Sequence, residues 1–369
     1  MEHSYTQRRE RARTRLRKQG ADAAIAYPGP NLQYFTGFRG EPVDRFHALY
    51  VPAEGDAVLV SPNGYLSQAR AYADVENFHA VDGNDPDAVA AAIESRLPSS
   101  PDEVLLDDGA VAALAGPLYE RLGTDVVGSA MPLFTSMRRR KDEAEIEALK
   151  RSAAVADAVS EEIRALGSDA VGMTEAELAT EIRAKMHARG AKGVSFDVVV
   201  GAGPNSADPA LRHSDRPVRA GEPVVVDFGC FLDGYASDQT RMVVYEGDPP
   251  DGFEDAYDAT VEALDAGVEA VEPGTTAGDV DAAARNTLEE HGLADRFIHG
   301  TGHGVGLASH EELAIAEGES TELEPGMVFS IEPGVYFEGE WGVRVEDLVV
   351  VTDDGVERLN SSPRTWRPL

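Results

Sequence analysis

Short apolar runs and helical stretches take turns along the first third of the chain. Residues 7–19 have helical spacing ended by Gly20, where a left-handed glycine would stop the helix. Strand-like runs follow at Ala23–Tyr27, Ala48–Val51, Ala57–Val60 and Val104–Leu106, and helical stretches at Tyr65–Ala73, Pro86–Arg96 and Ala110–Leu122. This alternation predicts an α/β domain over residues 1–135, with Pro98-Ser99-Ser100-Pro101 as an internal loop. The pattern changes around Met131–Arg140, and a long helix is expected from Lys141 to Leu166. It would open a second domain over residues 136–369.

The second domain repeats itself. Thr174-Glu175-Ala176-Glu177-Leu178 starts a helical run that ends in Gly190, and Thr276-Ala277-Gly278-Asp279-Val280 starts another that ends in Gly292. The threonines suit N-caps and the glycines suit left-handed C-caps. Arg183 and Arg285 fall nine residues after the threonines. Further on, Gly221-Glu222-Pro223-Val224-Val225-Val226-Asp227 parallels Gly326-Met327-Val328-Phe329-Ser330-Ile331-Glu332. Each has a turn glycine, then an apolar strand ending in a carboxylate. Repetition at this scale predicts two similar helix–strand halves about a pseudo-twofold axis, with Asp227 and Glu332 facing each other.

Composition narrows the classes. Sixty-six acids against 33 bases give a formal charge of −33, although the first 20 residues are net basic. A field of that sign repels phosphate, so neither nucleic acid nor an anionic membrane is an expected partner. Lysine is scarce, with only Lys18, Lys141, Lys150, Lys185 and Lys192. Dispersed acids with few lysines fit a surface working in concentrated salt, where screening acts within a few ångströms. No apolar run approaches a bilayer span and the N-terminus has no apolar signal core, so a cytoplasmic protein is expected. A single cysteine, Cys230, limits any metal site to oxygen and nitrogen ligands.

The candidate chemistry lies in two carboxylate pairs and a histidine cluster. Asp227 closes Val224–Val226, and Asp238 lies eleven residues on, before the strand Arg241–Tyr245; a returning hairpin would bring the two acids together. Glu332 ends Val328–Ile331, and Glu346 sits in Val343–Val351, where alternation puts Arg344 and Glu346 on one face. A carboxylate in an apolar strand is costly unless paired or metal-bound. The run His299-Gly300-Thr301-Gly302-His303-Gly304-Val305-Gly306-Leu307 is poor helix and poor strand, and reads as a site wall. His213 and His310 complete the group. Four clustered acids demand compensation. Two divalent cations with one neutral imidazole would supply it, with bridging carboxylates and an activated water between the metals. Such ligation suits manganese, cobalt, iron or zinc better than copper.

These segments resemble a known family. VVVDFG (224–229), SDQTR (237–241), HGTGHGVGLASHE (299–311), SIEPGVY (330–336) and GVRVEDLVVVT (342–352) are similar to the motifs of the pita-bread metallopeptidases, which include Xaa-Pro aminopeptidases, prolidases and methionine aminopeptidases. Asn31–Phe38 and Arg138–Ala153 resemble the N-terminal domain and domain-entry helix of the creatinase/prolidase branch. Ordinary core packing is the expected role of Tyr34 and Phe35. The resemblance implies an α/β N-terminal domain followed by an α+β pita-bread (creatinase/aminopeptidase) domain with a pseudo-twofold repeat. It further implies Asp227, Asp238, His303, Glu332 and Glu346 as ligands of two metals, Asp238 and Glu346 bridging, with manganese or cobalt ahead of zinc or iron.

His213, His299, His310 and Arg344 match the outer catalytic positions, although Arg212 stands before His213 where many relatives have proline. The implied reaction is hydrolysis of the bond preceding proline in dipeptides or at peptide N-termini. In it Glu332 shuttles a proton, His310 and His213 bind the developing oxyanion and nearby substrate groups, and His299 shapes the pocket. Relatives are commonly homodimers. Two alternatives share the scaffold: a small-molecule enzyme, either a metal-dependent lyase or a creatinase- or ectoine-hydrolase-like amidohydrolase, and a non-catalytic binding protein.

Overall fold

The computed structural model describes residues 4–40 and 45–368. They form two compact units, Met1–Arg138 and Arg139–Leu369. In the first unit the order is α1 (Tyr5–Gln19), β1 (Ala23–Ala26), α2 (Pro30–Thr36), β2 (Ala48–Pro52), β3 (Val58–Pro62), α3 (Leu66–Tyr72), β4 (Asn77–Val81), α4 (Pro86–Glu94), β5 (Val104–Leu106), α5 (Ala112–Leu122), β6 (Val127–Ser129) and α6 (Met131–Arg138). The six strands make one mixed sheet in the order β4-β3-β2-β1-β5-β6. The expected strands are there. β4 and β6 lie outside the expected strands, because Asn77–Val81 is a half-exposed edge and Val127-Gly128-Ser129 offers a single apolar side chain.

The basic helix α1 turns three of its seven basic residues inward and leaves Arg11, Arg15, Arg17 and Lys18 exposed. Arg8, Arg9 and Arg13 are buried. Arg9 donates to the carbonyls of Phe35 and Asp74 at 2.6 and 2.7 Å and pairs with Glu76 at 3.0 Å, which Arg13 also meets at 3.2 Å. Buried charge is retained only when paired in this way. Tyr34 and Phe35 are core residues.

The second unit runs α7 (Glu143–Arg164), α8 (Glu175–Ala188), β7 (Gly193–Val194), β8 (Val199–Ala202), β9 (Val224–Asp227), β10 (Cys230–Leu232), β11 (Tyr235–Ala236), β12 (Thr240–Val243), α9 (Phe253–Glu269), α10 (Ala277–Glu290), β13 (Gly302–Gly304), β14 (Glu311–Ile315), β15 (Val328–Ile331), β16 (Gly334–Phe337), β17 (Trp341–Arg344), β18 (Asp347–Thr352) and β19 (Gly355–Arg358). The repeat is physical. Thr174 and Thr276 both cap their helices through reciprocal boxes with Glu177 and Asp279, each worth about 1 kcal/mol. Gly190 and Gly292 take φ of 92° and 70°, which only glycine adopts cheaply.

Each half then builds a sheet around a central strand, β9 between β8 and β12, and β15 between β13 and β18. Alternation in β9 sends Val224 and Val226 into the core with Ile163, Leu178 and Ile182, and Val225 into the core with Phe253, Leu264 and Val280. Asp227 closes β9 and Glu332 follows β15, and both reach one cavity with Asp238 and Glu346, which precede β12 and β18.

Three local expectations change. Asp227 and Asp238 are not joined by a simple hairpin, because β10 and β11 intervene and Asp227 lies opposite Thr240. Val343–Val351 is two strands: β17 pairs with β16, β18 with β15, and the chain changes sheets at Val345-Glu346. The histidine–glycine run contributes a strand, β13, with a register shift between His303 and Gly304. Gly302 permits it, since a side chain there would run into the Ser330 carbonyl of β15.

Candidate metal centre

Asp227, Asp238, His299, His303, His310, Glu332, Arg344 and Glu346 line one cavity of about 530 Å³. Phe196, Pro209, Ala210 and Ile298 supply its apolar wall. Asp238, His303 and Glu346 bring ligand atoms within 4.8 Å of one another. His303 Nε2 lies 3.3 Å from Glu332 Oε1 and 3.7 Å from Asp238 Oδ2.

His213 stands apart from this lining. Its loop is tied down by Ser214, whose N and Oγ donate to Glu175 at 2.9 and 2.6 Å, and its ring Nδ1 sits 2.9 Å from the Val198 carbonyl. Pro209 and Ala210 of the same loop reach the cavity; the imidazole does not.

The donors fit cations. His303 Nδ1 lies 3.2 Å from the Gly304 carbonyl, which can only accept, so Nδ1 carries the proton. Burial lowers the pKa of His303 and keeps the ring neutral. Its Nε2 lone pair then points at carboxylate oxygens, an arrangement that needs a positive charge between them. Asp227 Oδ1 and Glu346 Oε1 are both buried and, among the described residues, without a hydrogen-bond partner, which is costly for a carboxylate. Burial first, then the charges of Asp227 and Glu332, push Asp238 well above the usual carboxylate range. Burial first and Asp238 next do the same to Glu346, and burial raises Glu332. Four acids against one guanidinium leave three negative charges to be met. A pair of divalent cations meets that demand, with hard oxygen donors and one imidazole.

Arg344 organises the acids. Its NH2 donates to Asp227 Oδ2 at 2.5 Å, its NH1 to Tyr336 Oη at 3.1 Å and its Nε to Thr240 Oγ1 at 3.2 Å. Against the burial penalty, Tyr336, Asp227 and Glu332 hold it firmly charged. Tyr336 Oη lies 2.9 Å from His299 Nε2, and His299 Nδ1 lies 2.8 Å from the Gly300 carbonyl. One assignment satisfies this chain: Nδ1–H donates to the carbonyl, and Tyr336 accepts from Arg344 and donates to His299 Nε2. Both nitrogens of His299 are thus engaged by the protein. His310 stacks on His303 with ring centroids 3.7 Å apart, and burial, then His303, lower its pKa. Thr240, Ser330 and Tyr336 were not nominated from sequence. Their contacts depend on strand register, which no local pattern displays.

A fold of duplicated sheets closing on an acid–imidazole pocket defines a metal-dependent hydrolase, and comparison with known proteins agrees. Residues 147–353 match metallopeptidase family M24, and residues 8–140 match the creatinase/prolidase N-terminal domain. The probable dipeptidase PepE of Mycobacterium tuberculosis is 39% identical over 352 residues, covering 93% of this chain and 92% of that protein. The Xaa-Pro dipeptidase of Lactobacillus delbrueckii subsp. lactis is 32% identical, covering 96% of each. The crystal structure of a recombinant prolidase from Thermococcus sibiricus superposes with a TM-score of 0.92 at 32% identity, covering 100% of both chains. The chain belongs to metallopeptidase family M24, is a metallopeptidase, and has the pita-bread fold. Among the described residues no helix is long and apolar enough to cross a membrane.

Proposed function

We propose that the protein hydrolyses the Xaa-Pro bond of dipeptides, or of short peptides at their N-termini, using two divalent cations held by Asp227, Asp238, His303, Glu332 and Glu346. Asp238 and Glu346 are read as the bridging pair, and manganese or cobalt as the working metal, ahead of zinc or iron. The observation that carries this is a buried oxygen on both Asp227 and Glu346 that has no hydrogen-bond partner among the described residues, beside an imidazole lone pair aimed at carboxylates. Relatives whose names state Xaa-Pro dipeptidase or prolidase activity support the substrate class.

When bound, the cations supply a nucleophile from water near neutral pH and polarise the scissile carbonyl. Glu332 takes up the proton released by that water. Ser330 donates to its Oε1 at 3.1 Å and holds the carboxylate in place for that transfer. Glu332 delivers the proton to the departing proline nitrogen, which has no hydrogen of its own. His310 donates to the developing oxyanion. His299, with both nitrogens engaged, acts as a wall that sizes the pocket. His213 is read as binding substrate groups beside the oxyanion, from the loop whose Pro209 and Ala210 reach the cavity. A homodimer, a cytoplasmic location and adaptation to concentrated salt complete the reading, the last from the dispersed acids and five lysines.

The test is an assay of Ala-Pro, Gly-Pro and Xaa-Pro-Xaa peptides in high salt with Mn²⁺, Co²⁺ or Zn²⁺, before and after chelation. Cation-dependent release from dipeptides is the expected result. Release from tripeptides would assign an aminopeptidase, and cleavage that survives complete chelation would overturn the mechanism.

A further inference from the structure

One of the cavity's acids, Glu346, is held from behind by a pair of residues belonging to the other half of the repeat. Thr240 and Arg241 open β12 in the first half, while Glu346 precedes β18 in the second. Every polar group of Glu346 except Oε1 is bound by those two residues. The Glu346 N–H donates to the Thr240 carbonyl at 3.2 Å, its carbonyl accepts from Arg241 NH1 at 2.5 Å, and its Oε2 accepts from Thr240 Oγ1 at 2.8 Å. Thr240 is wholly buried.

The direction of these bonds is forced. Arg344 Nε can only donate, so Thr240 Oγ1 accepts from it at 3.2 Å and spends its single proton on Glu346 Oε2. The same guanidinium donates to Asp227 Oδ2. One chain of bonds therefore runs from Asp227 through Arg344 and Thr240 to Glu346. It occupies one oxygen of each carboxylate and leaves the other, Asp227 Oδ1 and Glu346 Oε1, without a partner among the described residues.

The geometry points to Thr240 as a positioning residue of the metal centre: its hydroxyl sets the rotation of the Glu346 carboxylate, so that Oε1 and the remaining lone pair of Oε2 face the cations. This rests on reading Glu346 as a metal ligand. The hydroxyl touches neither substrate nor cation. It acts by preorganising a ligand, a kind of contact whose loss commonly weakens metal binding about 10- to 100-fold. Residue type matters more than size here. Serine retains the donor, whereas valine keeps the shape and abolishes it.

The test uses chelator-stripped full-length protein titrated with Co²⁺, read by calorimetry for affinity and by visible absorption for ligand geometry. Thr240→Val is expected to bind Co²⁺ roughly 10- to 100-fold more weakly with an altered spectrum. Thr240→Ser is expected within about threefold of wild type with the spectrum restored. Thermal unfolding of each metal-free variant shows whether the fold is intact, and Thr240→Ala decides the question should the valine variant not fold. A valine or alanine variant matching wild type in both affinity and spectrum would overturn the role of Thr240 alone. A wild-type protein that binds no Co²⁺ would instead overturn the metal reading on which it rests.

Discussion

Replacing His47 by leucine should flatten the acid side of the protein's stability profile. His47 is fully buried, and neither ring nitrogen has a partner among the described residues. The Phe38 ring stands edge-on at 5.2 Å, with Tyr65 at 6.2 Å. Burial, and secondarily the charge of Arg45, lower its pKa from 6.5 to about 4. A depressed folded-state pKa means that the unfolded chain binds more protons in the interval between the two values. The contribution of His47 is then fully present above pH 6.5 and is lost as pH falls towards 4. The slope in that window is about 1.4 kcal/mol per pH unit, so the interval amounts to about 3 kcal/mol.

Equilibrium urea unfolding in concentrated KCl, followed by circular dichroism at several pH values, measures this directly. The leucine variant also loses ring contacts, but that loss does not depend on pH and shifts the curve without tilting it. Carboxylates titrating near pH 4 contribute equally to both proteins and cancel in the difference. Parallel wild-type and His47→Leu profiles between pH 6.5 and 4 would refute the reasoning.

Two further outcomes are expected. Glu332→Gln keeps the shape of the proton carrier but removes its basicity, and should lower kcat at least about 100-fold at saturating Mn²⁺ while retaining a cooperative thermal transition; near-wild-type turnover would reject the assigned role. With 66 acids against 33 bases, the melting temperature of metal-free protein should rise with KCl up to molar concentration, where screening acts over about 3 Å; full activity and reversible folding in dilute buffer would contradict salt adaptation.

Much of this was legible in the sequence because it is encoded locally. Thr174 and Thr276 announce helix starts, Gly190 and Gly292 announce stops, and their spacing reveals duplication before any coordinate is known. Asp227 and Glu332 stand out because a carboxylate at the end of an apolar strand has few inexpensive explanations. The resemblance of the flanking motifs supplied the family.

What the chain alone could not decide lies in pairing between distant segments. Arg344 and Glu346 read as neighbours on one strand, yet Arg344 ends one sheet, Glu346 lies in the crossover before the next, and both line the cavity. The placement of His213 is likewise not local: Glu175 anchors its loop and its ring Nδ1 lies 2.9 Å from the Val198 carbonyl. Thr240 and Tyr336 are ordinary in sequence. They acquire roles only when antiparallel registers bring one opposite Asp227 and hold the other between Arg344 and His299. Local pattern determines helix ends, strand faces and residue type. Strand register, together with side-chain contacts between the two halves that are 104 to 117 residues apart, determines which polar atoms meet.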